Sequence, residues 1–285
     1  MLLQIDHVTL VHRRDLRTLA EDLSFVLHEG DKAAVIGEEG NGKSTLLQWI
    51  WNPRRVDDYC QCSGSCTAVG SVGYLAQELT EEERKGSVYD YCAASENFPT
   101  LTPQELGDVA RQLHFPVEEY FSQRPLGEFS GGERLKLQLS RLLFDRPAIL
   151  LLDEPSSDLD LSALRWLERF IKNYKGIILY ISHDETLLEE TANVILHMEH
   201  PREGKPPRCS VIRSGYREYA LRRSAAIQSQ TRQARKEREE YDKKMERFRR
   251  IQQSVEHAQN AVSRQDPGTG RLLKKKMHAV QSMGR

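Results

Sequence analysis

Eight residues constrain this chain more than any others: Gly37-Glu38-Glu39-Gly40-Asn41-Gly42-Lys43-Ser44. They fit the pattern G-x-x-x-x-G-K-[ST], follow the apolar run Ala33-Ala34-Val35-Ile36 and precede the helical run Ser44–Trp51. A buried strand that turns through glycines into a helix aims several backbone N–H groups and the positive end of a helix dipole at one point, which suits a phosphate. Lys43 would reach the β- and γ-phosphates of a nucleotide, and Ser44 would offer its hydroxyl to Mg²⁺.

Two further apolar runs end in chemistry-bearing residues. Ala148-Ile149-Leu150-Leu151-Leu152 ends in Asp153-Glu154, and Ile177-Ile178-Leu179-Tyr180-Ile181 ends in Ser182-His183. Runs without polar alternation fit strands buried on both faces of a parallel sheet. Between them lie helical patterns such as Leu135, Leu139 and Leu142, spaced i, i+4, i+7. The alternation predicts an α/β fold around a central, mostly parallel sheet. Leu2–Ile5, Val8–Val11 and Leu23–Leu27 read as short strands of an antiparallel side-sheet. In this frame Asp153 could hold Mg²⁺ through water, and Glu154 could act as general base towards the attacking water.

A third element, Phe129-Ser130-Gly131-Gly132-Glu133, places a second anion-binding nest of amides at a helix N-terminus. With it the chain resembles the ATP-binding cassette (ABC) family, whose signature is such a Ser-Gly-Gly turn. The resemblance implies that Ser130, Gly131 and Gly132 bind the γ-phosphate held by the opposite domain of a dimer. Gln77, in Tyr74-Leu75-Ala76-Gln77, looks like the Q-loop glutamine that contacts Mg²⁺ and the lytic water. Ser157-Asp158-Leu159-Asp160 looks like the D-loop across the dimer, and His183 like the switch histidine that reads the γ-phosphate. The implied catalytic residues are Glu154, His183 and Gln77, and the metal site is Ser44, Gln77 and Asp153. ATP would rest on Gly37, Gly40, Asn41, Gly42, Lys43, Ser44 and Thr45. His12 stands where the family has an aromatic residue that stacks on adenine. Imidazole stacks less extensively than Tyr or Trp, and His12 reads equally as an exposed loop histidine, so selectivity for ATP over GTP stays open.

Charge divides the chain. Residues 216–285 hold 18 Lys+Arg against 8 Asp+Glu, and residues 1–215 hold 23 against 34. A basic tail on an acidic body meets something anionic, or is simply a solvated helix. From Ala225 to Val262 there is neither Pro nor Gly, and Tyr241, Met245, Phe248, Gln252, Val255 and Val262 form one narrow stripe, as in a coiled-coil seam. Asp266-Pro267-Gly268-Thr269-Gly270 then breaks the pattern, and Leu273, Met277 and Val280 begin a second helix.

Gly215-Tyr216-x-x-Tyr219 followed by a long basic helix resembles the linker of ABC-F proteins, soluble fused pairs of ABC domains that bind ribosomes. The expectation is thus an ABC ATPase domain at 1–215 (helical subdomain about 78–145) and a basic helical linker at 216–285. The linker would open a coiled-coil hairpin with its tip at about 264–276, where Arg264, Arg271, Lys274, Lys275 and Lys276 suit phosphate contacts to rRNA or tRNA. A second ABC domain is missing from the pattern, so the chain reads as truncated or as half of something longer, completed by a second copy or a separate half. The implied function is ATP hydrolysis driving action on the ribosome, as a translation factor or in antibiotic resistance. The alternatives are a transporter ATPase subunit or a non-hydrolysing ATP-binding fragment.

No apolar run approaches the ~20 residues of a membrane span, and MLLQIDHVTL lacks the features of a signal peptide. A cytoplasmic protein with no membrane insertion is the expectation. Five cysteines argue against a disulfide scaffold. Cys60-x-Cys62-x-x-x-Cys66 has the wrong spacing and too few ligands for zinc, and reads as a turn around Ser63-Gly64-Ser65 between two strand edges.

Overall fold

The computed structural model describes residues 1–199 and 207–262. The elements run β1 Leu2–His12, β2 Thr18–His28, β3 Lys32–Ile36, α1 Lys43–Trp51, β4 Cys60–Val69 and β5 Val72–Leu75. Helices α2 Glu81–Lys85, α3 Val88–Ala93, α4 Pro103–Leu113 and α5 Gly131–Phe144 follow. The chain continues through β6 Ile149–Asp153, α6 Leu161–Asn173, β7 Ile177–Ile181, α7 Glu185–Thr191, β8 Val194–Glu199, β9 Arg208–Ile212 and α8 Tyr216–Val262.

The main sheet has the order β5-β6-β7-β3-β8-β9, parallel throughout except for β9 at one edge. Successive side chains of a strand point to opposite faces, and each face carries its own core. Leu150, Leu152, Ile178 and Tyr180 join α3–α7 on one side. Ile149, Leu151, Ile177, Leu179 and Val35 meet α1 and the antiparallel sheet on the other.

That antiparallel sheet, β2-β1-β4, corrects two expectations. Leu2–Ile5 and Val8–Val11 are one continuous strand, kinked where His7 takes φ 50°. Both neighbours slip register there, Ile5 pairing with Phe25 and Val8 with Leu23, so the polar Asp6-His7 step is absorbed as a β-bulge instead of ending the strand. The third strand is Cys60–Val69, unbroken where Ser63-Gly64-Ser65 is expected as a turn between two strand edges. Gly64 does not turn the chain; it lies against the bulge, where a Cβ would sit 2.6 Å from the His7 carbonyl oxygen. Cys62 and Cys66 pack on the core face of β4.

The described residues fall into two compact units, one ending at Ala220 and one beginning at Leu221. In the first, Tyr219 is buried and Tyr216 donates to Glu185 Oε1 at 3.5 Å. Helix α8 begins at Tyr216, where the Tyr216–Tyr219 pair gives its first turn an apolar side. Beyond it, i, i+4 pairs brace the helix surface, Arg235–Glu239 at 3.2 Å and Arg250–Glu246 at 2.7 Å. The expected hairpin tip at 264–276 and the second helix lie outside the described residues.

Candidate nucleotide site

Ligands of open α/β sheets sit beyond the carboxyl ends of the strands, and the expected site residues follow three neighbouring strands there. The glycine loop leaves β3, Glu154 follows β6 and His183 follows β7. Gly37 approaches β8 so closely that a Cβ would lie 2.3 Å from the Met198 carbonyl oxygen. The same oxygen accepts from Asn41 Nδ2 at 3.2 Å, so this side chain anchors the loop to β8. Gly42 takes φ 81° at the start of α1, a left-handed turn that favours glycine.

Lys43 folds back across the loop and donates to Gly37 O at 2.9 Å and Glu38 O at 3.0 Å. Burial lowers its pKa, and the charges of Glu154, Glu39 and Asp153 work in the other direction. Ser44 Oγ donates to Asp153 Oδ1 at 3.0 Å, and Tyr74 OH donates to Asp153 Oδ2 at 3.1 Å. Burial raises the Asp153 pKa, while these two hydrogen bonds and Lys43 pull it down. A hydroxyl and a carboxylate held side by side are the hard oxygen donors that Mg²⁺ takes, so the donor set fits that ion.

Glu154 has φ 48° and is pinned by its N–H to Ile181 O at 3.1 Å. Its Oε1 lies 3.1 Å from His183 Nε2. Burial raises its pKa, opposed by His183 and Lys43 and reinforced by Asp153. Gln77 is exposed on the loop after β5 and lines one groove with Glu154, Gly131, Ser157 and Asp158.

The Ser130 turn differs from a free anion nest. Ser130 caps α5 and forms a capping box with Glu133: its N–H and Oγ donate to Glu133 Oε2 at 2.9 and 2.7 Å, and Glu133 N–H donates back at 3.4 Å. The glycines have a packing reason beside the one expected. A Cβ on Gly131 would meet Asp158 O at 2.3 Å, and one on Gly132 would meet Ala163 Cβ at 2.7 Å.

A second opening, of about 360 Å³, runs from Lys43, Ser44 and Thr45 to His12 and Tyr59. His12 Nδ1 is 2.8 Å from Asp15 Oδ1, and its ring centroid is 6.5 Å from that of Tyr59. Arg17 closes the loop side by donating to Gly40 O at 2.6 Å. Sequence reasoning missed Tyr59 and Arg17, which no motif spacing marks. Tyr74, three places before Gln77, carries no role in the sequence pattern.

A family model described as "ABC transporter" matches residues 20–157. The chain is 34% identical to the energy-dependent translational throttle protein EttA of Haemophilus influenzae, over 66% of this chain and 33% of that one. It is 30% identical to the probable ATP-binding protein YheS of Escherichia coli, over 66% and 33%. It is 31% identical to the ribosome protection protein VmlR of Bacillus subtilis, over 62% and 31%. The chain thus matches about a third of the length of these relatives. Among solved structures, an inward-facing ABC transporter of the metal-chelate type matches with TM-score 0.56 at 21% identity, over 68% of this chain and 78% of that one. A ribosome-bound archaeal Pelota and ABCE1 complex matches with TM-score 0.58 at 21% identity, over 79% and 36%. With the glycine loop, the acidic strand end and the Ser-Gly-Gly turn gathered on one domain, this chain carries an ATP-binding cassette ATPase domain, and ABC-F proteins are among its relatives.

Proposed function

We propose that this chain is an ABC-F-type ATPase module that acts on the ribosome. The observation that carries the reading is the order of parts: an ABC domain followed at once by the 47-residue helix α8, rich in Arg and Lys, in a chain similar to a translational throttle and a ribosome protection protein.

Lys43 and the loop amides hold the phosphates, and Ser44 and Asp153 hold Mg²⁺, which when bound neutralises phosphate charge. Glu154 takes the proton of the attacking water, and His183 fixes the Glu154 carboxylate from one side. Most of the rate comes from preorganised charge around the phosphates. Each domain supplies Lys43, Ser44, Asp153 and Glu154 to one site and Ser130 to another, so turnover requires a second ABC domain, from another copy or a separate half.

The test is ribosome co-sedimentation of the Glu154→Gln protein with and without ATP, at two salt concentrations. Phosphate contacts through α8 predict ATP-dependent pelleting that weakens at the higher salt. Intact ATP binding with no pelleting would leave an inactive half awaiting its partner or a transporter subunit, and co-purification with an integral-membrane partner would overturn the ribosomal reading in favour of the latter. The described residues include no helix long and apolar enough to cross a membrane.

A further inference from the structure

The two ends of the candidate nucleotide site are joined by hydrogen bonds. Tyr59 OH, on the His12 side of the cleft, donates to Gln48 Oε1 at 2.7 Å. Gln48 Nε2 donates to Tyr74 OH at 3.4 Å, and Tyr74 OH donates to Asp153 Oδ2 at 3.1 Å. The other Asp153 oxygen accepts from Ser44 Oγ at 3.0 Å. Ser44 and Gln48 stand one turn apart on α1, so they share a face of that helix. Tyr74 comes from β5, the strand that leads to Gln77.

Each donor in this chain points the same way, towards the carboxylate. Gln48 uses both ends of its amide, and neither half can turn without breaking a bond. Tyr74 has one proton to donate and gives it to Asp153. Hydrogen bonds in series polarise one another, and the last one ends on a charged acceptor. The ring of Tyr74 is clamped separately, by stacking on Trp51 with centroids 5.0 Å apart and 24° between planes.

We propose that Tyr74 is a positioning residue for Asp153, held in turn by Gln48 and Tyr59, so that the base side and the metal side of the cleft form one hydrogen-bonded unit. The inference rests on the nucleotide reading above. Tyr74 acts through Asp153, to whose Oδ2 it donates, and fixes which lone pairs of that carboxylate remain for an ion. Groups that orient a metal ligand are typically worth about tenfold or more in metal affinity.

The experiment measures binding of a fluorescent ATP analogue to the full chain, first without Mg²⁺ and then during Mg²⁺ titration. For Tyr74→Phe, which keeps the stacked ring, Mg²⁺-free affinity should stay within about twofold of wild type. The Mg²⁺ concentration for half-maximal effect should rise about tenfold. Tyr59→Phe, two links away, should move the same midpoint in the same direction by a smaller factor. An unchanged Mg²⁺ midpoint in Tyr74→Phe, or equal weakening with and without Mg²⁺, would overturn the positioning role while leaving the nucleotide site intact. Failure of the wild-type chain to bind the analogue under any condition would overturn both readings.

Discussion

At the residue scale the site is a balance of buried charges. Asp153, Glu154 and Lys43 sit together at the strand ends, and burial acts against the charged form of each. For Glu154 the direction has two consequences. If it is the general base, turnover must fall on acidification through its raised pKa, so the acid limb of the rate profile lies above the ordinary glutamate value of 4.5. A steady-state ATPase profile in the presence of a competent partner domain checks this; a limb at or below 4.5 counts against the assignment. The linkage sign also follows. A carboxyl whose folded pKa is raised binds more protons folded than unfolded, so its contribution to stability is present at low pH and lost as pH rises through the raised value. Glu154→Gln should therefore gain on wild type across that window, as measured by thermal unfolding at a series of pH values. The base-side end was the least legible from sequence. His12 is marked only by the resemblance to the ABC family, and Tyr59 reaches it from the entrance to β4, through folding that no local pattern encodes.

At the scale of elements, what was legible depended on whether a residue's local role was also its tertiary one. The uniformly apolar runs Ala33–Ile36, Ile149–Leu152 and Ile177–Ile181 could only be buried strands, and they are β3, β6 and β7. The antiparallel sheet was harder to read, because polar residues interrupt its strands without ending them. Asp6-His7 is a bulge in β1, and Ser63-Gly64-Ser65 lies opposite it in β4. Glycine there reads as a turn until its partner strand is known. The Ser130 turn shows the same ambiguity: its glycines were expected for anion binding, yet Gly131 also passes against the Asp158 backbone. Gly131→Ala should accordingly destabilise the domain by about 1–3 kcal/mol, as overpacking does, read as a lower urea midpoint with an unchanged slope. An unaltered midpoint would show that the 157–160 segment moves aside at little cost.

At the scale of the whole molecule the division is between an acidic body and a basic helix. The body carries Lys43 and Ser130, which under the proposed function belong to two composite sites whose closure ATP controls. The measurement that bears on this most directly is the molar mass of the Glu154→Gln chain in solution, with and without ATP and Mg²⁺. Blocking the proton acceptor while leaving the phosphate ligands in place should trap the closed state. A nucleotide-dependent doubling of mass is expected, abolished by Lys43→Ala. A chain that binds ATP yet keeps the same mass with and without it, even when a complementary ABC domain is added, would contradict the claim.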